Sequence, residues 1–379
     1  MKSAKYTEQP RFIHNIPDPV LDEILVRVPV NDLCSCKCVC TRWLSTISSA
    51  EFTSLHLNRT NSDPSKLRLI VQYIRLEDDE VEPPNPPVPV EYYDKMGCLN
   101  ILGSVNGLTL LVDEIEGRGS KWYQVLIWNI ATTKMKTVDL CEYENAAKVT
   151  FGFGWAANVY KVVKFVYYRG KTTCEVWRSD TDTWRDIEVN TVFVHPGMES
   201  FADVTVKGGS AAYWLFSNFD EGETDESSDS DDDTVFMFEV VVVAFDFETE
   251  LLHTIPLPME LKALKARIAA DFRSHKGVFC MNLRDEFALV ERLSSKDQYK
   301  GWTYDFAEAR WKSENVDFPI DVSNMTCLDT YKEKIILCNT EGRRLVVLNM
   351  EDGEATDIGI GQKCWYRACY VIESLVSIE

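Results

Sequence analysis

Five stretches of the chain share one plan: Val125-Leu126-Ile127-Trp128-Asn129-Ile130-Ala131-Thr132, Glu175-Val176-Trp177-Arg178-Ser179-Asp180-Thr181, Val243-Ala244-Phe245-Asp246-Phe247-Glu248-Thr249, Trp302-Thr303-Tyr304-Asp305-Phe306-Ala307-Glu308 and Val346-Val347-Leu348-Asn349-Met350-Glu351-Asp352. Each is a β-rich run that ends in a large side chain and passes into a polar turn. The aligned bulky positions are Trp128, Trp177, Phe245, Tyr304 and Leu348, at spacings of 49, 68, 59 and 44. After each turn comes Met135, Trp184, Leu252, Trp311 or Ala355, and before each unit runs another strand-like segment (108–112, 160–167, 211–216, 277–283 and 334–338). A period of roughly 40–50 residues built of several short strands marks a β-propeller, here of about six blades. A large β-sandwich with similar hairpins is the alternative.

Composition narrows the class. Of 379 residues, 45% are hydrophobic and 26% charged, which excludes wholesale disorder. The length asks for two domains or a small module beside a large one. The net charge of −20 disfavours nucleic acid, whose phosphates need clustered Lys and Arg, and disfavours an anionic membrane surface. That charge is concentrated. Nine acidic residues and no basic ones fall in 220–233, and five more are Glu77, Asp78, Asp79, Glu80 and Glu82, which leaves −6 for the rest. Residues 1–10 have no apolar leader, and the most apolar run, 235–247, contains Glu239 and Asp246 and is too short to span a bilayer. The expectation is a soluble protein, cytoplasmic and/or nuclear, with its 12 cysteines reduced.

Residues 12–60 have a different texture. Asp18-Pro19 fits a helix N-cap followed by proline at the first helical position, where a missing N–H costs nothing. Leu21, Ile24, Leu25 and Val28 then form one apolar stripe that Pro29 ends. A second short helix is expected from about Asn31 through Leu33 and Cys36. A third would carry Val39, Trp43 and Ile47, with Phe52 and Leu55 beyond it. Three helices in so few residues bury little core alone, so the unit needs a partner or a neighbouring domain, and its stripe is a candidate helix-in-groove surface.

The residues Ile16-Pro17-Asp18, Leu21, Glu23-Ile24-Leu25, Arg27-Val28-Pro29-Val30, Leu33, Lys37-Cys38-Val39-Cys40, Arg42-Trp43, Ile47, Phe52 and Leu55-His56-Leu57 stand in register with an F-box, which this segment resembles in the form common in plants. Pro19-Val20 replaces residues that are often polar there, and Cys34 and Cys36 replace more usual apolar or basic ones. Residues 61–379 resemble the F-box-associated domain of the same families. Val105-Asn106-Gly107-Leu108 is similar to its NGL strand, and Ile127-Trp128-Asn129-Ile130-Ala131-Thr132 to its WNPAT turn, with Ile130 in place of proline. Phe151-Gly152-Phe153-Gly154 with Asn158-Val159-Tyr160-Lys161-Val162-Val163 is similar to its FGYD…DYKVV element. The segments 176–184, Ala212-Tyr213-Trp214-Leu215 and Tyr370-Val371-Ile372-Glu373-Ser374-Leu375-Val376 also fit.

The resemblance implies a fold of three N-terminal helices followed by an all-β domain, an α+β multidomain chain. It implies the substrate receptor of a Skp–cullin–F-box ubiquitin ligase, without bond chemistry or a cofactor of its own. The F-box would bind a Skp-type adaptor, and through it a cullin, while the β domain holds an unidentified target protein. The adaptor-binding candidates are Ile16, Pro17, Leu21, Ile24, Leu25, Val28, Pro29, Leu33, Val39 and Trp43. About half of this set is expected to face the adaptor, with Val39 and Trp43 read as mostly core. A non-ligase scaffold that binds the adaptor, or a propeller enzyme with a helical cap, are the alternatives.

Other motifs are weaker. Cys34, Cys36, Cys38 and Cys40 alternate, and on a helix each such step turns about 200°, so the four do not share a face and do not have zinc spacing. The five histidines (His14, His56, His195, His253, His275) are scattered, with no Cys/His or Ser/His motif beside them. Phe151-Gly152-Phe153-Gly154 lacks the third glycine of a nucleotide loop. The aromatic residues at hairpin ends read as inter-blade core, although binding hot spots favour the same types. The acidic stretch 220–233 reads as a solvated insertion, in which Ser228 and Ser230 each have Asp three positions on, a context for acid-directed phosphorylation. The proline-rich run 83–89 reads as a surface loop.

Overall fold

The computed structural model describes residues 16–75, 90–94, 99–144, 147–169, 171–189, 204–206, 209–219, 238–258, 260–261, 278–284, 286–293, 298–305, 308–322, 325–339, 344–358 and 364–378. The acidic stretch 220–233 with Ser228 and Ser230, and the proline run 83–89, lie outside them.

Four helices come first: α1 (Asp18–Leu25), α2 (Val30–Cys36), α3 (Thr41–Ile47) and α4 (Ala50–Ser62). Twenty-three strands follow among the described residues. The first blade is β3 (Leu99–Val105), β4 (Leu108–Glu116), β5 (Ser120–Asn129) and β6 (Lys134–Glu144). The second is β7 (Lys148–Ala156), β8 (Val159–Tyr168), β9 (Lys171–Arg178) and β10 (Thr183–Ile187), and the third is β11 (Val204–Val206), β12 (Ala211–Phe219), β13 (Phe238–Asp246) and β14 (Leu251–Pro256). The fourth is β15 (Val278–Leu283), β16 (Glu286–Arg292), β17 (Tyr299–Asp305) and β18 (Arg310–Val316), and the fifth is β19 (Met325–Tyr331), β20 (Lys334–Asn339), β21 (Leu345–Asn349) and β22 (Ala355–Asp357). A three-stranded sheet, β2 (Val90–Asp94), β1 (Leu67–Arg75) and β23 (Cys364–Ile372), joins the two ends of the β domain. In it β1 runs antiparallel to β23 and parallel to β2. Its inner strand β23 packs beside both β3 and β19, and so closes the ring.

The repeat read from the sequence is the third strand of each blade and the turn that leaves it. Trp128, Trp177, Phe245, Tyr304 and Leu348 are each the penultimate residue of that strand. Each pairs directly across the hairpin with the side chain expected after the turn: Met135, Trp184, Leu252, Trp311 and Ala355. The turn needs one residue in the left-handed region, five positions after the bulky one. Thr133, Asp182, Glu250, Ala309 and Gly353 all stand there, with φ between 48° and 76°. In four of the five, the residue ending the strand is Asn or Asp, and its side-chain oxygen accepts backbone N–H groups of the turn: Asn129 from Ala131 and Thr132, Asp246 from Glu248 and Thr249, Asp305 from Glu308, Asn349 from Glu351. Such local bonds fix a turn that propensity alone leaves loose.

Three expectations are corrected. Among the described residues the complete blades number five, not six, because the closing sheet there has three strands. The helices number four, not three. Cys40 is extended (φ −161°, ψ 166°), so Val39 lies in a turn before α3, and Phe52 and Leu55 belong to the separate α4. Asp18 is the first residue of α1 rather than its cap. Pro17 takes the cap position without a side-chain bond, and the Asp18 carboxylate accepts from Arg42 Nε at 2.9 Å instead.

Charges as well as apolar contacts join the blades. Glu250, in the turn leaving β13, is 7% exposed at its side chain and pairs with Lys161 (2.6 Å), Arg178 (2.8 Å) and Arg185 of the second blade. These cations hold its carboxyl below the usual range against the cost of burial. Lys164 of β8 reaches Asp139 of β6 (2.9 Å) and Glu175 of β9 (2.8 Å) beneath the Trp184 ring. Breaking one partner of such a buried pair costs about 3–5 kcal/mol, because the other charge stays buried.

Candidate functional site

The helical unit is held together by Leu21, Leu25, Val26, Val30, Leu33, Ile47 and Phe52, all buried. Leu21 and Leu25 stand four apart on α1 and point inward, which turns Val20 and Ile24 outward on the same helix. Arg42 ties the entrance of α1 to α3 through Asp18 and the carbonyl of Ile16 (2.6 Å). Ser49 caps α4 by accepting from the Phe52 N–H at 3.1 Å.

The sequence-derived candidates divide into three groups. Pro17, Ile24, Pro29 and Val39 are exposed; Ile16, Val28 and Trp43 are half-buried; Leu21, Leu25 and Leu33 are core. Leu21, Leu25 and Leu33 therefore support the surface from beneath, within the expectation that about half of the set faces outward, and Val39, read as mostly core, is 52% exposed. Three exposed apolar residues were not in the set: Val20 on α1, Leu44 on α3 and Leu55 on α4. The signal for Val20 was present in the sequence, an apolar residue where the resembled pattern is often polar. Five large apolar side chains (Val20, Ile24, Val39, Leu44, Leu55) are each about half exposed in a unit that buries only a small core. Exposure of that density marks an interaction surface.

This surface is fixed to the propeller. After β23 the chain runs as a tail, and its Leu375 completes the helical core. In return Leu57 of α4 packs into the core between the first two blades, beside Val105, Ile372 and Val376. Asn129 Nδ2 donates to the carbonyls of Ser374 (3.0 Å) and Val376 (2.9 Å). Asn106 and Gly107 form the two-residue hairpin turn between β3 and β4, both at positive φ. A Cβ on Gly107 would stand 2.4 Å from that of Ser374, so only glycine admits the tail there. Arg68 pairs with Glu373, and Tyr331 Oη donates to the carbonyl of Asn61 at the end of α4 (3.1 Å). Buried His56 contacts the carbonyl of Val28 through Nε2 (3.0 Å), and burial pulls its pKa below the ordinary 6.5.

Burial disfavours the thiolate at several of the described cysteines. Burial pushes Cys280 and Cys338 up to about 12 and Cys141 up to about 11, whereas the reactive form is the thiolate. α2 ends at Cys36, so Cys34 and Cys36 lie at a helix end, Cys38 in the turn that follows, and Cys40 in the extended position before α3. Among the described residues, no group of three or more His, Cys, Asp or Glu side chains could hold a metal ion. Also among them, no helix is long and apolar enough to cross a membrane.

Comparison with known proteins places two family descriptions on the chain: an F-box domain over residues 13–55 and an F-box associated beta propeller domain over residues 106–378. An F-box/kelch-repeat protein of Arabidopsis thaliana is 27% identical over 44% of this chain, a match spanning about half (52%) of that relative's length. Another Arabidopsis F-box protein is 20% identical over 97% of this chain and 87% of its own. Among solved structures, the β-propeller domain of the trilobed protease from Pyrococcus furiosus aligns with 69% of this chain and 71% of its own at 12% identity, with a TM-score of 0.38, too low to carry an argument.

Proposed function

Because the chain belongs to the family of F-box proteins with an F-box-associated β-propeller domain, we propose that it is the substrate receptor of a Skp–cullin–F-box ubiquitin ligase. The helical unit binds a Skp-type adaptor and through it a cullin. The propeller holds a target protein, whose lysines are thereby concentrated near a ubiquitin-charged enzyme. The receptor itself makes and breaks no bond. The observation that carries this reading is the set of exposed apolar side chains on a helical unit locked to the propeller. Pro17, Val20 and Ile24 lie along α1, with Pro29, Val39 and Leu44 on the segments that follow.

Co-purification with a Skp-type adaptor tests it. Ile24→Asp places a charge on an exposed position, so it should abolish adaptor recovery while stability changes by no more than about 0.5 kcal/mol. Leu25→Asp, one residue on, buries a charge and should unfold the helical unit. Wild-type protein that is folded and recovers no adaptor would overturn the reading.

A further inference from the structure

The helices occupy one face of the propeller. They meet Tyr331 and Lys332 through Asn61, the cluster of Val105 through Leu57, and Leu375 of the tail, and that tail packs in turn on Gly107 and the Asn129 side chain at the end of β5. All are at the same ends of their strands, so the opposite ends, where β4 turns into β5 at 117–119, lie on the far face. At that far end of the first blade, Ile115 is opposite Trp122, and Leu140 is opposite Gln124, two residues from Trp122. The three therefore share one face of the sheet, and they are 45%, 37% and 59% exposed.

The ring explains why they are bare. On the other face of the same blade, Tyr143 and Cys141 share a cluster with Trp184, which belongs to the fourth strand of the next blade. The face carrying Ile115 continues from Leu111 and Leu126, which pack against Ile70 and Val371 of the closing sheet. That sheet has three strands, and among the described residues nothing pairs with the outer edge of β2.

Resting on the receptor reading above, we infer that this strip on the far face is where the target docks, through an extended segment that alternates apolar residues with Lys or Arg and lies in a fourth-strand position beside β2. Charge selects that occupant. Asp113 stands on the same face between Leu111 and Ile115, and its Oδ1 is buried without a hydrogen-bond partner among the described residues. Glu142, the ladder partner of Trp122, is exposed. The chain's own residues 76–89 are a poor occupant, since they carry five acidic residues, no basic ones, and five prolines that lack the N–H a strand edge needs.

The test uses the full chain purified with its adaptor. Labelled peptides of about ten residues, one alternating valine with lysine and one valine with glutamate, are titrated by fluorescence anisotropy at about 0.15 M salt. The valine–lysine peptide should bind, and Leu140→Ser or Ile115→Ser should weaken it about tenfold or more. Both variants should still recover adaptor, which shows that they are folded and separates this inference from the F-box reading. Deletion of 220–233 should leave the affinity within about twofold, since that change removes bulk negative charge and not the strip. Equal binding of the valine–glutamate peptide, binding unchanged in both strip variants, or binding lost with 220–233 would each overturn the inference.

Discussion

Asn129 serves two structures with one side chain. Its Oδ1 accepts from the N–H groups of Ala131 and Thr132 and shapes the turn out of β5, while its Nδ2 donates to the tail carbonyls of Ser374 and Val376. All of this happens at a residue with no solvent exposure. Asn129→Ala removes four hydrogen bonds and leaves buried groups unsatisfied, so urea denaturation should show a loss of about 2–4 kcal/mol. Asn129→Asp keeps the acceptor for the turn but sets a carboxylate against two carbonyls, and should be no better than alanine. The turn half of this role was legible, because Asn followed by a polar turn recurs at Asp246, Asp305 and Asn349. The tail half was not, because its partners lie 245 and 247 residues away and periodicity reports only neighbours.

Among the elements, the tail after β23 and helix α4 exchange core residues. Leu375 enters the helical core and Leu57 enters the core of the propeller. Leu375→Ala should therefore cost about 2–5 kcal/mol in thermal or chemical unfolding and should reduce adaptor recovery, although Leu375 is buried and is not one of the exposed side chains of α1. Full recovery with a chain ending at Ile372 would show that the helices are independent of the tail. A pH dependence belongs to α4. His56 is buried and its pKa is depressed in the folded protein. Below about pH 6.5 the unfolded chain takes up a proton that the folded one resists, so this contribution is full above that pH and is lost as pH falls. Unfolding temperatures measured from about pH 7.5 down to about pH 5.5 should decline, and His56→Gln, which keeps an N–H for the Val28 carbonyl, should flatten the decline.

At the scale of the whole molecule, closure of the ring brings the chain's ends together. β1, directly after the helices, pairs along its whole length with β23, directly before the tail. This makes the F-box a fixed extension of one face and leaves the other face clear of the helices. The sequence by itself determined the class of both parts. Helical stripes and proline stops set the N-terminal unit, and a repeat of bulky residue, polar turn and second bulky residue set the blades. These are short-range patterns, governed by backbone geometry within a few residues. Only the tertiary structure decided the number of complete blades, the split of the Ile16–Trp43 candidates into core and surface, and the face left open. Each of those depends on which segments meet across the ring, where burial is set by packing between residues hundreds of positions apart.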